Sequence, residues 1–253
     1  MVIPFVWMFL TSLKSLAEST SVPPVLIPPV LRWENYREAV TNLPFGVFFR
    51  NTAIVAAART VGQLLLCSMA AYAFARIKFP GRELIFILFL SVLMIPYQIF
   101  IIPQYMIMKD LGWLNTIKGL IVPGLFSSFG TFLLRQFFMT LPKELEEAAK
   151  LDGCNHFRIY RSIMLPVVVP GLIALAIFTA LAGWNDLLWP IIVNNSPEKL
   201  TLAAGLASLR GEHTTNYPVL MAGTMLATLP MIVLFMLLQK YFIEGIVLSG
   251  IKG

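Results

Sequence analysis

Charged side chains are scarce in this sequence. Asp, Glu, Lys and Arg make up 13% of its 253 residues, about half the ~25% usual for soluble domains, which leaves too little solvated surface for a water-soluble globule. Cysteine is nearly absent. Cys67 and Cys154 stand far apart, one in an apolar run and one in a polar loop, which argues against both a disulfide framework and a thiolate metal site. The two histidines, His156 and His213, lack partners at zinc-binding spacing. No Gly-x-x-x-x-Gly-Lys-Ser/Thr phosphate cradle, Gly-x-Ser-x-Gly elbow or His-Glu-x-x-His pair occurs. No catalytic residue, metal or cofactor is therefore assigned. A net charge of +6 and a pI of 9.4 are compatible with nucleic acid binding, but the basic residues are scattered among loops with no interleaved aromatics. Nucleic acid is not an expected partner.

What is abundant is hydrocarbon. Hydrophobic residues reach 58% and the mean hydropathy is +0.78, so the expected fold is an all-α polytopic transmembrane helix bundle of about six spans. Residues 1–13 are apolar but short of the ~20 needed to cross ~30 Å of hydrocarbon, and they lack the basic start of a secretory signal. Residues 14–44 are polar and proline-rich, with Pro23-Pro24 and Pro28-Pro29, and read as an extended external loop. Spans follow over about 51–75, 84–108, 119–138, 167–193 and 219–238, with a second external loop over 194–218. Pro96 and Pro103 are expected to kink the 84–108 span.

Two polar features interrupt the apolar runs. Arg59 lies inside a span, where a charge costs about 2.5–3.5 kcal/mol; it either faces the bundle interior or snorkels to an interface. The run Trp184-Asn185-Asp186, with Trp189-Pro190 just after, also has two readings. These groups line a solute path, offering hydrogen bonds and ring faces to a polar solute, or Asp186 sits near the outer interface and the indoles form an aromatic belt.

One stretch is polar, punctuated and helical. Pro142 suits the first position of a helix, and Glu144, Glu146 and Glu147 favour the positive end of its dipole. Gly153 suits a left-handed stop and Asn155 a new cap. Phe157, Tyr160 and Met164 then fall at helical spacing, and Pro166 marks the end of that second helix or the start of the next. The product is helix, tight turn, helix. Helices this short are marginal in water, so they must pack on the chain's own neighbours or on a partner.

The run Glu147-Ala148-Ala149, then Gly153, then an apolar residue and Leu165-Pro166, resembles the EAA loop of binding-protein-dependent ABC import permeases. Pro142-Lys143-Glu144-Leu145 and Asp152-Gly153 are similar to the carbohydrate, maltose-type branch and in particular to its smaller membrane subunit. The resemblance implies a single permease domain over 1–253, a cytoplasmic coupling loop over 140–166, a cytoplasmic tail over 239–253, and a first span that begins upstream of Met1. Its implied partners are a pair of cytoplasmic ATP-binding subunits, a second and different permease subunit, an extracytoplasmic solute-binding protein and the lipid bilayer, in a bacterial or archaeal inner membrane. Glu147 is then expected to make a polar contact with the ATPase. Ala148 and Ala149 are expected to pack closely against it, and Asp152, Gly153, Leu165 and Pro166 to shape the loop. Placing the loop inside the cell gives the inner side a slight excess of Lys and Arg, as the positive-inside rule requires.

The implied activity is import of a sugar or oligosaccharide by alternating access; a polyol or glycerol phosphate would leave the same pattern. Two other classes remain as alternatives at this level: a secondary transporter driven by an ion gradient through Asp186 and Arg59, and a membrane-embedded enzyme, for which the sequence has no clustered catalytic set.

Overall fold

The computed structural model describes residues 2–209 and 215–250, with side chains over 2–209 and 215–237. Helix α1, Ile3–Ser12, leads into a single turn at Leu16–Ser19. That turn is held by a capping box in which the Ser15 N–H donates to Glu18 Oε2 at 2.7 Å and Ser15 Oγ accepts from the Glu18 N–H. The bond from the Ser15 N–H and a second from the Ser15 hydroxyl to the same Oε2, at 2.8 Å, keep the Glu18 carboxyl below the ordinary value for its type. Helix α2, Glu34–Thr41, is tied back by Asn35, whose Nδ2 donates to the carbonyls of Ser12 at 2.8 Å and Lys14 at 2.9 Å. The proline-rich segment is thus irregular, without helix, only over 20–33, and the flanks expected to be loop are short helices. They have the caps and side-chain ties that the prolines between them lack.

Helix α3, Phe45–Arg76, is the central rod and begins six residues before the expected span. Helices α4, Arg82–Met94, and α5, Gln98–Asp110, meet at a bend of 103°. The expected kinked span over 84–108 is therefore two half-length helices, each about 20 Å long at 1.5 Å per residue. Ile95, which precedes Pro96, is held extended at φ −94°, ψ 125°, as a residue before proline prefers. Pro103 stays inside α5 without ending it. The next candidate span, α6, Ile117–Thr140, is irregular at its start: a 3-10 turn at Val122–Gly124 is followed by Ser127 in extended conformation (φ −145°, ψ 132°), which caps the main part, Ser128–Thr140. After the polar elbow formed by α7, Glu144–Leu151, and α8, His156–Val167, the chain turns by 78° into α9, Val169–Trp184. Here too the expected span, 167–193, is interrupted: Asn185–Leu187 break it before α10, Leu188–Val193. Helix α11, Leu202–Ala207, lies in the external segment, and α12, Tyr217–Gly250, closes the bundle. Among the described residues three helices are long and apolar enough to cross a membrane, or up to five if each bent pair counts as one crossing, against the six spans expected. The fold is an all-α membrane bundle.

The buried residues of α3 form one stripe through Phe48, Asn51, Thr52, Val55, Ala56, Cys67, Ser68, Ala71 and Tyr72, the i, i+3, i+4 pattern of a helix packed on one face. Its inner half belongs to a core with Leu134, Phe138, Ile159, Met164 and Leu175. Its N-terminal half carries the segment expected to be external. Asn51 Nδ2 donates to the carbonyls of Glu198 at 2.8 Å and Leu200 at 2.9 Å, and the Leu202 N–H donates to Thr52 Oγ1 at 2.7 Å. Gly205 on α11 lies so close to the buried Phe48 that a Cβ would penetrate its ring. A Gly205→Ala variant is expected to lose about 1–3 kcal/mol through overpacking, read as a lower unfolding temperature of the purified protein.

Candidate functional site

The elbow is built by local rules. Helix α7 opens at Glu144 rather than at Pro142, because the Lys143 carbonyl is the first acceptor, taking the N–H groups of Glu146 and Glu147 at 3.0 Å. Pro142 lies in the preceding turn and does not occupy the first helical position. The helix ends in a Schellman motif: the Cys154 N–H donates to the Ala149 carbonyl and the Gly153 N–H to the Lys150 carbonyl, both at 3.0 Å, with Gly153 at φ +76°. Asn155 then caps α8, its Oδ1 accepting from the Arg158 N–H at 2.9 Å.

Each limb shows one face to the core and one to water. In α7 the inward residues are Glu146 and Ala149, and Glu146 is bridged to Lys150 at 2.8 Å. Glu147, Ala148, Asp152 and Gly153 face outward, as does Leu151 at 90% exposure. Ala149, expected to pack against a partner, is instead 4% exposed among Phe138, Ile159 and Tyr160 of its own chain. The 3.6-residue period puts it on the same face as Glu146. In α8 the inward stripe runs through Ile159, Tyr160 and Met164, and Phe157, expected to join it, is 61% exposed. The stripe shifts where Tyr160–Met164 form a π turn. Leu165 is half-buried and Pro166 exposed. Pro166 does not end the second limb, which runs on to Val167 before the chain bends at Val168.

The four residues singled out within the bundle divide into two pairs. Arg59 Nη1 meets Asp186 Oδ2 at 2.8 Å, with side-chain exposures of 12% and 21%. The same guanidinium donates through Nε and Nη2 to the Leu120 carbonyl at 2.9 and 2.6 Å. Arg59 therefore faces inward and does not snorkel. One turn along, Gln63 Nε2 donates to the Gly124 carbonyl and Thr179 Oγ1 donates to Gln63 Oε1, both at 2.9 Å. These bonds satisfy carbonyls at the irregular start of α6, which carries Pro123. Sequence reasoning passed over Gln63 and Thr179. The available signal for Gln63 was its place four residues after Arg59, on the same face of an apolar helix.

Trp184 and Asn185 form the second pair. They line a cavity of about 370 Å³ together with Leu202, Leu206, Thr224 and Thr228, and neither Arg59 nor Asp186 reaches it. Trp184 Nε1 donates to the Ala227 carbonyl at 3.0 Å, and Asn185 Nδ2 donates to its own helix end at Leu181. Trp189 is 1% exposed and donates to the Gly119 carbonyl at 3.0 Å. An aromatic belt does not describe so buried an indole: Trp189 is an internal strut. Among the described residues no group of His, Cys, Asp and Glu is placed to hold a metal ion. His213 lies outside the described residues, as do the side chains of the expected tail over 239–253.

Comparison with known proteins gives this geometry its context. The family described as "Binding-protein-dependent transport system inner membrane component" matches residues 63–247. The arabinooligosaccharides transport system permease protein AraQ of Halalkalibacterium halodurans is 37% identical over 227 residues, covering 89% of this chain and 81% of that protein. The sn-glycerol-3-phosphate transport system permease protein UgpE of Brucella suis is 34% identical over 253 residues, covering 96% and 90%. The crystal structure of a bacterial ABC transporter involved in the import of the acidic polysaccharide alginate contains a chain of the same fold. It has a TM-score of 0.84 and 23% identity, covering 95% of this chain and 90% of that one. The family match extends over most of the bundle and includes the elbow, and this chain accordingly belongs to the inner membrane components of binding-protein-dependent transport systems, as a permease subunit of the ABC import type.

Proposed function

We propose that the outward face of the elbow is the seat of a separate ATP-hydrolysing subunit, and that the chain acts as one transmembrane unit with its coupling loop over 140–166. The observation that carries this reading is the division of the elbow into two faces. Ala149, Ile159 and Met164 anchor it in the bundle, while Leu151 at 90% and Phe157 at 61% exposure stand in water beside Glu147 and Asp152. Large exposed apolar side chains framed by acids fit a docking cleft on a partner. Glu147 supplies the polar contact, Ala148 the close approach, and Gly153 the angle between the limbs. Asp152 caps the outward rim. Leu165 and Pro166 carry the second limb toward α9.

Two such ATPases, a second and different permease subunit and an extracytoplasmic binding protein complete the importer. The cargo is a polyhydroxylated solute, a sugar or oligosaccharide, with a polyol or glycerol phosphate as the alternative. The names of the relatives support this class, since they concern arabinooligosaccharides and sn-glycerol-3-phosphate. Trp184 and Asn185, on the 370 Å³ cavity, are the solute-facing candidates, and Asp186 and Arg59 support the wall behind them. Closure of the ATPases moves the elbow and opens the bundle outward; hydrolysis returns it. The contacts at the elbow must then differ between the two states by a few kcal/mol. An ion-gradient mechanism through Asp186 and Arg59 gains no support, because each neutralises the other at 2.8 Å.

The test is a Leu151→Glu variant, purified with its companion subunits. Removing a leucine from an apolar cleft costs about 1.5–3 kcal/mol, so ATPase retention should fall at least tenfold while membrane insertion is unchanged. A variant that keeps its ATPase and imports at the normal rate would defeat the reading.

A further inference from the structure

Helix α3 is not adjacent to the elbow in sequence, yet one stripe of its C-terminal half grips both the segment that leads into the elbow and the elbow's second limb, α8. Arg76, its last residue, donates through Nε to the Phe138 carbonyl at 3.1 Å and through Nη2 to the carbonyls of Phe138 and Leu141. These acceptors lie in the last turn of α6 and in the residue just after it, immediately before the elbow, where a cation is also favoured by the helix dipole. Ser68, two turns back along the same face, shares a hydrogen bond of 2.7 Å with the Tyr160 hydroxyl. Ser68 already donates to the Leu64 carbonyl, so Tyr160 is the donor. Tyr72, midway between them, packs its ring against Phe138 at 5.7 Å and Tyr160 at 5.4 Å. Ser68, Tyr72 and Arg76 recur at i, i+4, i+8 and thus present one face.

The link downstream of the elbow has the opposite character. Tyr160–Met164 is a π turn, Pro166 has no N–H to give the ladder, and the axis turns by 78° before α9. Interrupted ladders of this kind are where helices bend.

We infer that movement of the elbow reaches the bundle through α3, with Arg76 and Tyr160 as positioning residues that keep the elbow's entry and its second limb on that helix, while the π turn lets α9 swing relative to them. This rests on the elbow being gripped by an ATPase, as proposed above. The experiment uses the full complex in proteoliposomes, with arabinooligosaccharide and glycerol phosphate as cargo probes, and compares wild type with Tyr160→Phe, Ser68→Ala, their double variant and Arg76→Gln. In Tyr160→Phe, the ATP hydrolysed per solute imported should rise severalfold. ATPase retention, unfolding temperature and the solute concentration for half-maximal uptake should stay at wild-type values, which a merely structural role would not permit. Ser68→Ala should match it, and the double variant should be no worse than either single one, since both remove one bond. Unaltered stoichiometry in Tyr160→Phe and Arg76→Gln, with the ATPase still bound, would overturn the inference alone. A wild-type complex that never retains an ATPase would overturn the reading beneath it.

Discussion

Replacing Asp186 with alanine is expected to destabilise the bundle by about 3 kcal/mol, the low end for breaking a buried ion pair, because the two side chains keep 12% and 21% of their exposure. Arg59 would keep its bonds to the Leu120 carbonyl at 2.9 and 2.6 Å but lose the carboxylate at 2.8 Å. It sits near the middle of α3 with its side chain 12% exposed, away from both ends of the helix. The measurement is thermal unfolding of the protein in nanodiscs, along with its abundance in membranes. The informative companion is Arg59→Met with Asp186→Leu, which removes both charges. Exchanging a buried pair for apolar groups is often near neutral, so the double variant should be more stable than Asp186→Ala, short of wild type by about 1 kcal/mol for the Leu120 carbonyl that loses Arg59. An Asp186→Ala protein that unfolds at the wild-type temperature would show that the pair is not what holds the break at Asn185–Leu187 against α3.

The second large effect is on transport and concerns Gly153. Its φ of +76° costs a residue with a Cβ about 1–2 kcal/mol, and a β-branched side chain fares worst. Gly153→Val therefore opens the Schellman turn and changes the angle between α7 and α8. Space is no obstacle, since a Cβ there meets nothing within 4 Å, so the chain should still insert. Solute uptake is expected to fall about tenfold, corresponding to ~1.4 kcal/mol, while ATP hydrolysis continues uncoupled. Asparagine tolerates the left-handed region, so Gly153→Asn should retain most uptake. Normal uptake in Gly153→Val would remove the turn angle from the mechanism.

The elbow was largely legible in the sequence because its signals are local. Gly153 and Asn155 are each read within a few residues of themselves, and their geometry follows. Which of two adjacent alanines faces the core was not legible: Ala148 and Ala149 are chemically identical, and only packing against Phe138 and Ile159 separates them. Hydropathy also located the apolar runs while hiding their breaks. Pro96 and Pro103 look alike in sequence, yet one ends a helix and the other lies within α5, because a bend is tolerated only where neighbours satisfy the freed carbonyls. Arg59 and Asp186 each stood out as anomalous, but 127 residues separate them, and no local pattern encodes such a pairing.

That separation has a consequence for how the protein is made. A ribosome adding about 5–20 residues per second delivers Arg59 to the insertion machinery roughly 6–25 s before its counter-charge exists. During that interval α3 carries a naked cation that a lipid environment penalises by about 2.5–3.5 kcal/mol. Biogenesis thus calls for a hydrated harbour, provided by the translocon or an insertase, where the early hairpins wait until α9 emerges and the clasp can shut.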